Sequence, residues 1–240
     1  SKSPIIIRLI VGRGWGQGPT HSQNFQTMFA SIPGLKIYIP SFPSTVRDIL
    51  HTSVKSSDPV LIIEHRWLHY MNEEIDFKIR PKKIENIKKI RNGGDLTIVS
   101  SSYSTFEILK IYDYLKQTNI SFDHLDINIL KPSNLNKIYN SVKKTGKLLI
   151  LDNSVHKCCS FGANLISELV SKRKNIFKKE PINLTLPDIP SPTSYYLSKN
   201  FYHNSESICK EISKLTNKKI NVPKSFYKQD VPDPEFRGPF

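Results

Sequence analysis

Short unbroken apolar runs alternate along the chain with stretches whose apolar residues return every three or four positions. These are the marks of buried strands and amphipathic helices in turn. Residues 4–10 carry Ile5, Ile6, Ile7, Leu9 and Ile10 and predict a strand buried on both faces. A loop follows over 11–20, with Gly12, Gly14, Gly16, Gly18 and Pro19. Phe25, Met28, Phe29 and Ile32 recur at helical spacing and predict a helix over 21–32, stopped by Pro33 and Gly34. Residues 35–39 predict a second strand. A helix from Ser44 or Thr45 to Ser56 then turns Val46, Ile49, Leu50 and Val54 inward. Asp58 and Pro59 end it before a third buried strand over 60–63.

The stretch 66–93 breaks this rhythm, being polar and basic, and predicts an interdomain connection. Beyond it the alternation resumes. Strands are expected at 96–99, 122–129, 148–151 and 182–186, with helices at 105–116, 132–144, 162–172 and 205–215. The expected fold class is therefore α/β, as two three-layer units with mainly parallel sheets. The predicted divisions are 1–65, a linker at 66–93, a second domain at 94–216 and an extended, proline-bearing tail at 217–240.

Composition changes this picture little. Of the 240 residues, 38% are hydrophobic and 23% charged, ordinary values for a globular chain. No apolar run approaches a membrane span, and the short run after Pro4 is no secretory core, so neither membrane nor export is expected. The chain begins without Met and enters a strand almost at once, as a fragment would. Cys158, Cys159 and Cys209 give no disulfide framework, and adjacent cysteines beside His156 make a poor metal site. Reduced thiols fit a cytoplasm-like compartment or an organelle matrix. The net charge of +14 gathers at 78–91, 172–179 and 214–219. These clusters are dispersed, poor in aromatics and far richer in Lys than in Arg, a pattern of solvated faces rather than of nucleic-acid binding.

His21 is the leading chemical candidate. It follows a glycine-rich loop at an expected helix N-terminus, where the partial positive charge favours anions and a neutral imidazole. Such a ring can donate a hydrogen bond to a developing oxyanion. A plain N-cap role, holding the loop, is the alternative.

Several runs share an order with one family. Pro4 to Arg8, the glycine-rich loop, His21, Ser22 and Gln23, Pro33 to Lys36, and Ser57 to Val60 resemble the β subunits of pyruvate, branched-chain 2-oxoacid and acetoin dehydrogenases. Residues 94–99, 126–133, 143–147 and 187–190 resemble the transketolase C-terminal domain. The resemblance implies a transketolase-like fold in which residues 1–65 are the second half of a pyrimidine-binding domain. It implies thiamin diphosphate with magnesium, shared with an α-type subunit that carries the diphosphate-binding domain. The main thiamin-binding residues are then expected upstream of Ser1 and on that partner chain. The resemblance further implies a second β subunit, a lipoyl acyltransferase partner, and His21 as a catalytic residue lining the site. A potassium ion would be held by Ile5, Ser53, Val54 and Asp58; Ser56 stands where many members have Asp, and an ordinary solvated helix end is the alternative. The implied activity is oxidative decarboxylation of a 2-oxoacid with acyl transfer to lipoyl groups, absent in the chain alone. The alternatives are a carboligating synthase subunit and a non-catalytic assembly module of the same fold.

Overall fold

The computed structural model describes residues 3–12, 17–76, 78–155 and 157–220. Two sheets organise them. The first has the order β1 (Ile6–Val11), β3 (Val60–His65), β2 (Lys36–Tyr38), β7 (Ile129–Lys131). Its first three strands are parallel, and β7 runs antiparallel to β2. The second has the order β4 (Ile87–Arg91), β6 (Phe122–Ile127), β5 (Leu96–Ser100), β8 (Leu148–Val155), β9 (Ile182–Leu186). Only β4 is antiparallel there.

The second unit is a three-layer sandwich. On one face Leu96, Ile98 and Phe122 pack against Ile108 of α4 (Tyr103–Lys110), Leu115 of α5 (Tyr112–Gln117) and Ile212 of α9 (Ser205–Thr216). On the other, Val99, Leu125 and Ile150 pack against Val142 of α6 (Asn136–Thr145) and Leu165 of α7 (Phe161–Lys172). In the first unit Ile49 of α3 (Pro43–Ser53) covers Val60 and Ile62. The opposite face, with Ile37, Leu61 and Ile63, is covered by Phe29 of α2 (Gln26–Ala30), by Leu130 of β7 and by Phe161 of α7. The second unit thus supplies both an edge strand and part of the core of the first.

Several sequence expectations change. The linker does not reach residue 93: β4 pairs with β6 from Ile87 onward, and Arg66–Tyr70 is a 3-10 helix packed after β3. Lys88 and Lys89 hide this strand in the sequence because an edge strand tolerates charged side chains. The strand expected over 122–129 breaks at Asn128, which crosses between sheets. The Asn86 carbonyl accepts from the Asn128 and Ile129 amides, while the Asn128 carbonyl accepts from Ile39.

The helix expected over 21–32 is two pieces, α1 (Gly18–Ser22) and α2, and the one expected over 105–116 is α4 and α5. The helix expected from 132 starts at Asn136, and α8 (Tyr195–Phe201) has no counterpart in the expectation. The first strand is not buried on both faces. Ile5, Ile7 and Ile10 are 53%, 45% and 52% exposed, because β1 is a sheet edge. Phe25, Met28, Ile32 and Val54 are exposed as well. Ser1 and Lys2, and most of the tail expected at 217–240, lie outside the described residues.

Candidate functional site

Parallel strands direct their C-terminal ends to one side, and in α/β folds that side carries the chemistry. Here β1 leads through the glycine-rich loop to α1, and β3 leads directly to Arg66. His21 is exposed and lies in the last turn of α1. It is not at a helix N-terminus, so the helix-dipole argument made from the sequence does not apply. The helix starts at Gly18, three residues earlier than the pattern predicts, with Pro19 in its first turn.

Arg66 fixes this short helix in place. Its guanidinium donates from Nη2 to the His21 carbonyl at 2.7 Å and from Nη1 to the Gln17 side-chain oxygen. At the other end Gly18, with φ +62°, lies against Thr193, where an added Cβ would stand 2.8 Å from Oγ1. Arginine, glycine and threonine come from three distant parts of the chain. Arg13, Gly14, Trp15 and Gly16 of the loop lie outside the described residues.

The C-terminal ends of the second sheet meet the same place. Tyr103, just after β5, stacks on His65 at the end of β3, with ring centroids 4.8 Å apart. Trp67 meets both rings edge-on. Gly12 permits this cluster: its φ is +87°, and a Cβ there would fall 2.1 Å from the His65 ring. Beside the stack a cavity of about 20 Å³ is lined by Asn24, His65, Tyr103, Glu107, Asn153 and His203 among others, room for one water. Ser102, the residue before Tyr103, holds φ +53° and has a buried hydroxyl with no partner. A strained serine of this kind at a strand end is typical of functional clefts. None of these second-sheet residues was visible as a site residue in the sequence, because only the fold brings them beside α1.

Of the four residues implied as potassium ligands, Ser53 and Val54 end α3, while Ile5 and Asp58 lie just before β1 and β3. The Ile5 carbonyl accepts from the Val60 amide at 2.8 Å, and the Ser53 carbonyl accepts from the Ser56 amide. Val54 caps α3. The Asp58 carboxylate sits 3.0 Å from the Lys36 ammonium, which also donates to Ser56 Oγ at 3.0 Å. Only the buried Ser53 hydroxyl lacks a partner. Among the described residues no group of three or more His, Cys, Asp or Glu side chains is placed to hold a metal ion. The main thiamin-binding residues, expected upstream of Ser1 and on a partner chain, fall outside the described residues, as Ser1 itself does. Cys158 and Cys159 are exposed and Cys209 is buried, while His156 lies outside the described residues. No helix among the described residues is long and apolar enough to cross a membrane.

Two α/β units joined in this order, with a histidine loop at their common end, describe a transketolase-type architecture. The chain belongs to that family: residues 1–70 match the transketolase pyrimidine-binding domain, and residues 85–208 match the transketolase C-terminal domain. Among curated relatives, the pyruvate dehydrogenase E1 component subunit beta of Porphyra purpurea is 28% identical over 214 residues, covering 89% of this chain and 64% of its own length. The acetoin:2,6-dichlorophenolindophenol oxidoreductase subunit beta of Cupriavidus necator is 28% identical over 158 residues, covering 66% of this chain and 47% of its own. A solved structure described as a split gene transketolase, inactive beta4 tetramer, superposes with a TM-score of 0.69 at 17% identity. It covers 90% of this chain and 67% of that one, and the likeness is one of fold. The chain spans about two thirds or less of the length of these relatives.

Proposed function

We propose that the chain is the C-terminal part of a β-type subunit of a thiamin diphosphate-dependent 2-oxoacid dehydrogenase. In this reading it takes part in oxidative decarboxylation of a 2-oxoacid, with acyl transfer to lipoyl groups. The observation that carries it is the exposed His21, held by Arg66 at the C-terminal ends of β1 and β3. A histidine so placed stands to donate a hydrogen bond to an oxyanion forming on the substrate. In this reading the cofactor's diphosphate and its magnesium are gripped mainly by an α-type subunit and by polypeptide outside this chain. A second β subunit and a lipoyl acyltransferase complete the proposed assembly, in the cytoplasm or an organelle matrix.

Co-expression with the upstream β segment and an α-type subunit tests this directly. The assembled complex should acylate a lipoyl domain in the presence of a 2-oxoacid. His21→Ala should lower turnover by about 10²- to 10³-fold, the usual loss for one oxyanion donor. Unchanged turnover in that variant removes His21 from the mechanism. Release of a carboligation product without lipoyl acylation would replace the dehydrogenase by a transketolase-like synthase.

A further inference from the structure

Helices α1 and α2 are five residues each, too short to hold their own shape in water. Whatever fixes His21 must come from elsewhere. Arg66 grips α1, as described above. The second unit grips α2 at both ends. At its start, the buried Gln26 amide donates to Ser154 Oγ at 3.1 Å and to Asp152 Oδ1 at 3.4 Å, and Thr27 Oγ1 lies 3.1 Å from Ser154 Oγ. At its end, the Lys131 ammonium donates to the carbonyls of Ala30, at 2.8 Å, and Ile32. A cation there satisfies the open carbonyls of a helix C-terminus.

Asp152 is a rigid anchor for this contact. Its Oδ1 accepts from the Ser154 amide at 3.0 Å and the Ser154 hydroxyl at 2.7 Å, and its Oδ2 accepts from the Gly162 amide at 3.0 Å, in the first turn of α7. The Asp152–Ser154 pair thus ties the end of β8 to α7 and, through Gln26 and Thr27, to the segment five residues past His21.

We propose that Arg66 and the Asp152–Ser154 pair are positioning residues that together set where His21 stands, one from each unit. The functional side of this inference rests on the dehydrogenase reading; the clamp itself does not. Arg66 works through a two-pointed fork that spans Gln17 and the His21 carbonyl, which a lysine cannot reproduce. Ser154 works through its hydroxyl alone.

Hydrogen exchange by mass spectrometry on the full chain separates the two claims. Ser154→Ala and Arg66→Lys should each speed exchange in peptides covering residues 18–30 by about tenfold or more, with the second unit's protection unchanged. Ser154→Ala keeps the backbone bond to Asp152, so global unfolding is not expected to mask the result. Unchanged exchange over 18–30 in either variant overturns the clamp. In the assembled complex, Ser154→Ala should lower kcat with KM nearly constant and add no further loss to His21→Ala. Faster exchange with kcat intact leaves the clamp standing and overturns the catalytic reading of His21.

Discussion

Three buried residues show how far single positions govern this fold. Gly12 combines a left-handed backbone with contact against the His65 ring, so Gly12→Ala meets both a conformational penalty and a clash. A loss of about 2 kcal/mol or more in thermal or urea unfolding is expected, and unchanged stability would show that His65 moves aside freely. Asp126 is fully buried at the junction of the units, where Ser41 and Thr105 each donate to its Oδ1 at 2.6 Å. Burial pushes its carboxyl up to about 6, against the pull of those two hydroxyls and of Lys88. A raised carboxyl pKa means that the folded protein holds the proton more tightly than the unfolded chain. Stability from this group is therefore full below about pH 4 and is lost as pH rises through about 6, by about 3 kcal/mol in all. Asp126→Asn keeps the acceptor and removes the titration. The wild type should lose stability relative to this variant between pH 4 and 7, and parallel pH profiles would refute the assignment. Asp123 runs the other way. Burial pushes it up, but bonds from Lys144, Ser141, the Gly93 amide and Lys89 outweigh this and hold it at about 2. Its contribution is kept at neutral pH and fades only in strong acid.

Among the elements, β1 is the most consequential. Its run of apolar residues was legible as a strand, but the reading of both faces as buried assumed neighbours that the described chain lacks. Arg8 is the one charge on it, and its exposed guanidinium is held in a fork on the buried Glu64, at 2.8 and 2.9 Å. Apart from this paired arginine the edge is apolar, and it has none of the outward lysines that usually discourage pairing. The isolated chain should self-associate with rising concentration, and Ile7→Lys should shift it towards monomer in sedimentation velocity. A wild-type monomer at every concentration would show the edge to be covered some other way. Periodicity revealed β3, β5, β9, α7 and α9 nearly to the residue because each has a full apolar face in the core. It missed β4 and β7 for opposite reasons. The first wears lysines on an edge, while the second is the three-residue end of a longer apolar run that changes sheets at Asn128. His21 was legible as a candidate from its surrounding motif. Arg66, Asp152 and Ser154 were not, since long-range side-chain bonds leave no local pattern.

For the molecule as a whole, the two units are interlocked rather than strung on a linker. Removing everything after residue 85 would strip β7, Leu130, Phe161 and the Lys131 cap from the first unit at once. A fragment of residues 1–85 should show no cooperative thermal transition, whereas residues 85–220 should melt cooperatively. A cooperative melt of the shorter piece would mean that its own core suffices. The same incompleteness bears on ligands. Calorimetry of the isolated chain with thiamin diphosphate and magnesium should detect no micromolar binding, because in the proposed assembly the α-type subunit supplies most of the diphosphate grip. Tight binding would place the diphosphate grip within this chain.

The crossover at Asn128 also has a consequence in time. Tyr38 pairs with Ile129, so the first sheet cannot close until some ninety further residues have been translated. Until then, a nascent chain leaving the ribosome carries Ile37 and its neighbours on an open edge. The amino-terminal unit is made first but finished late, and its synthesis includes an interval in which a chaperone would find it exposed.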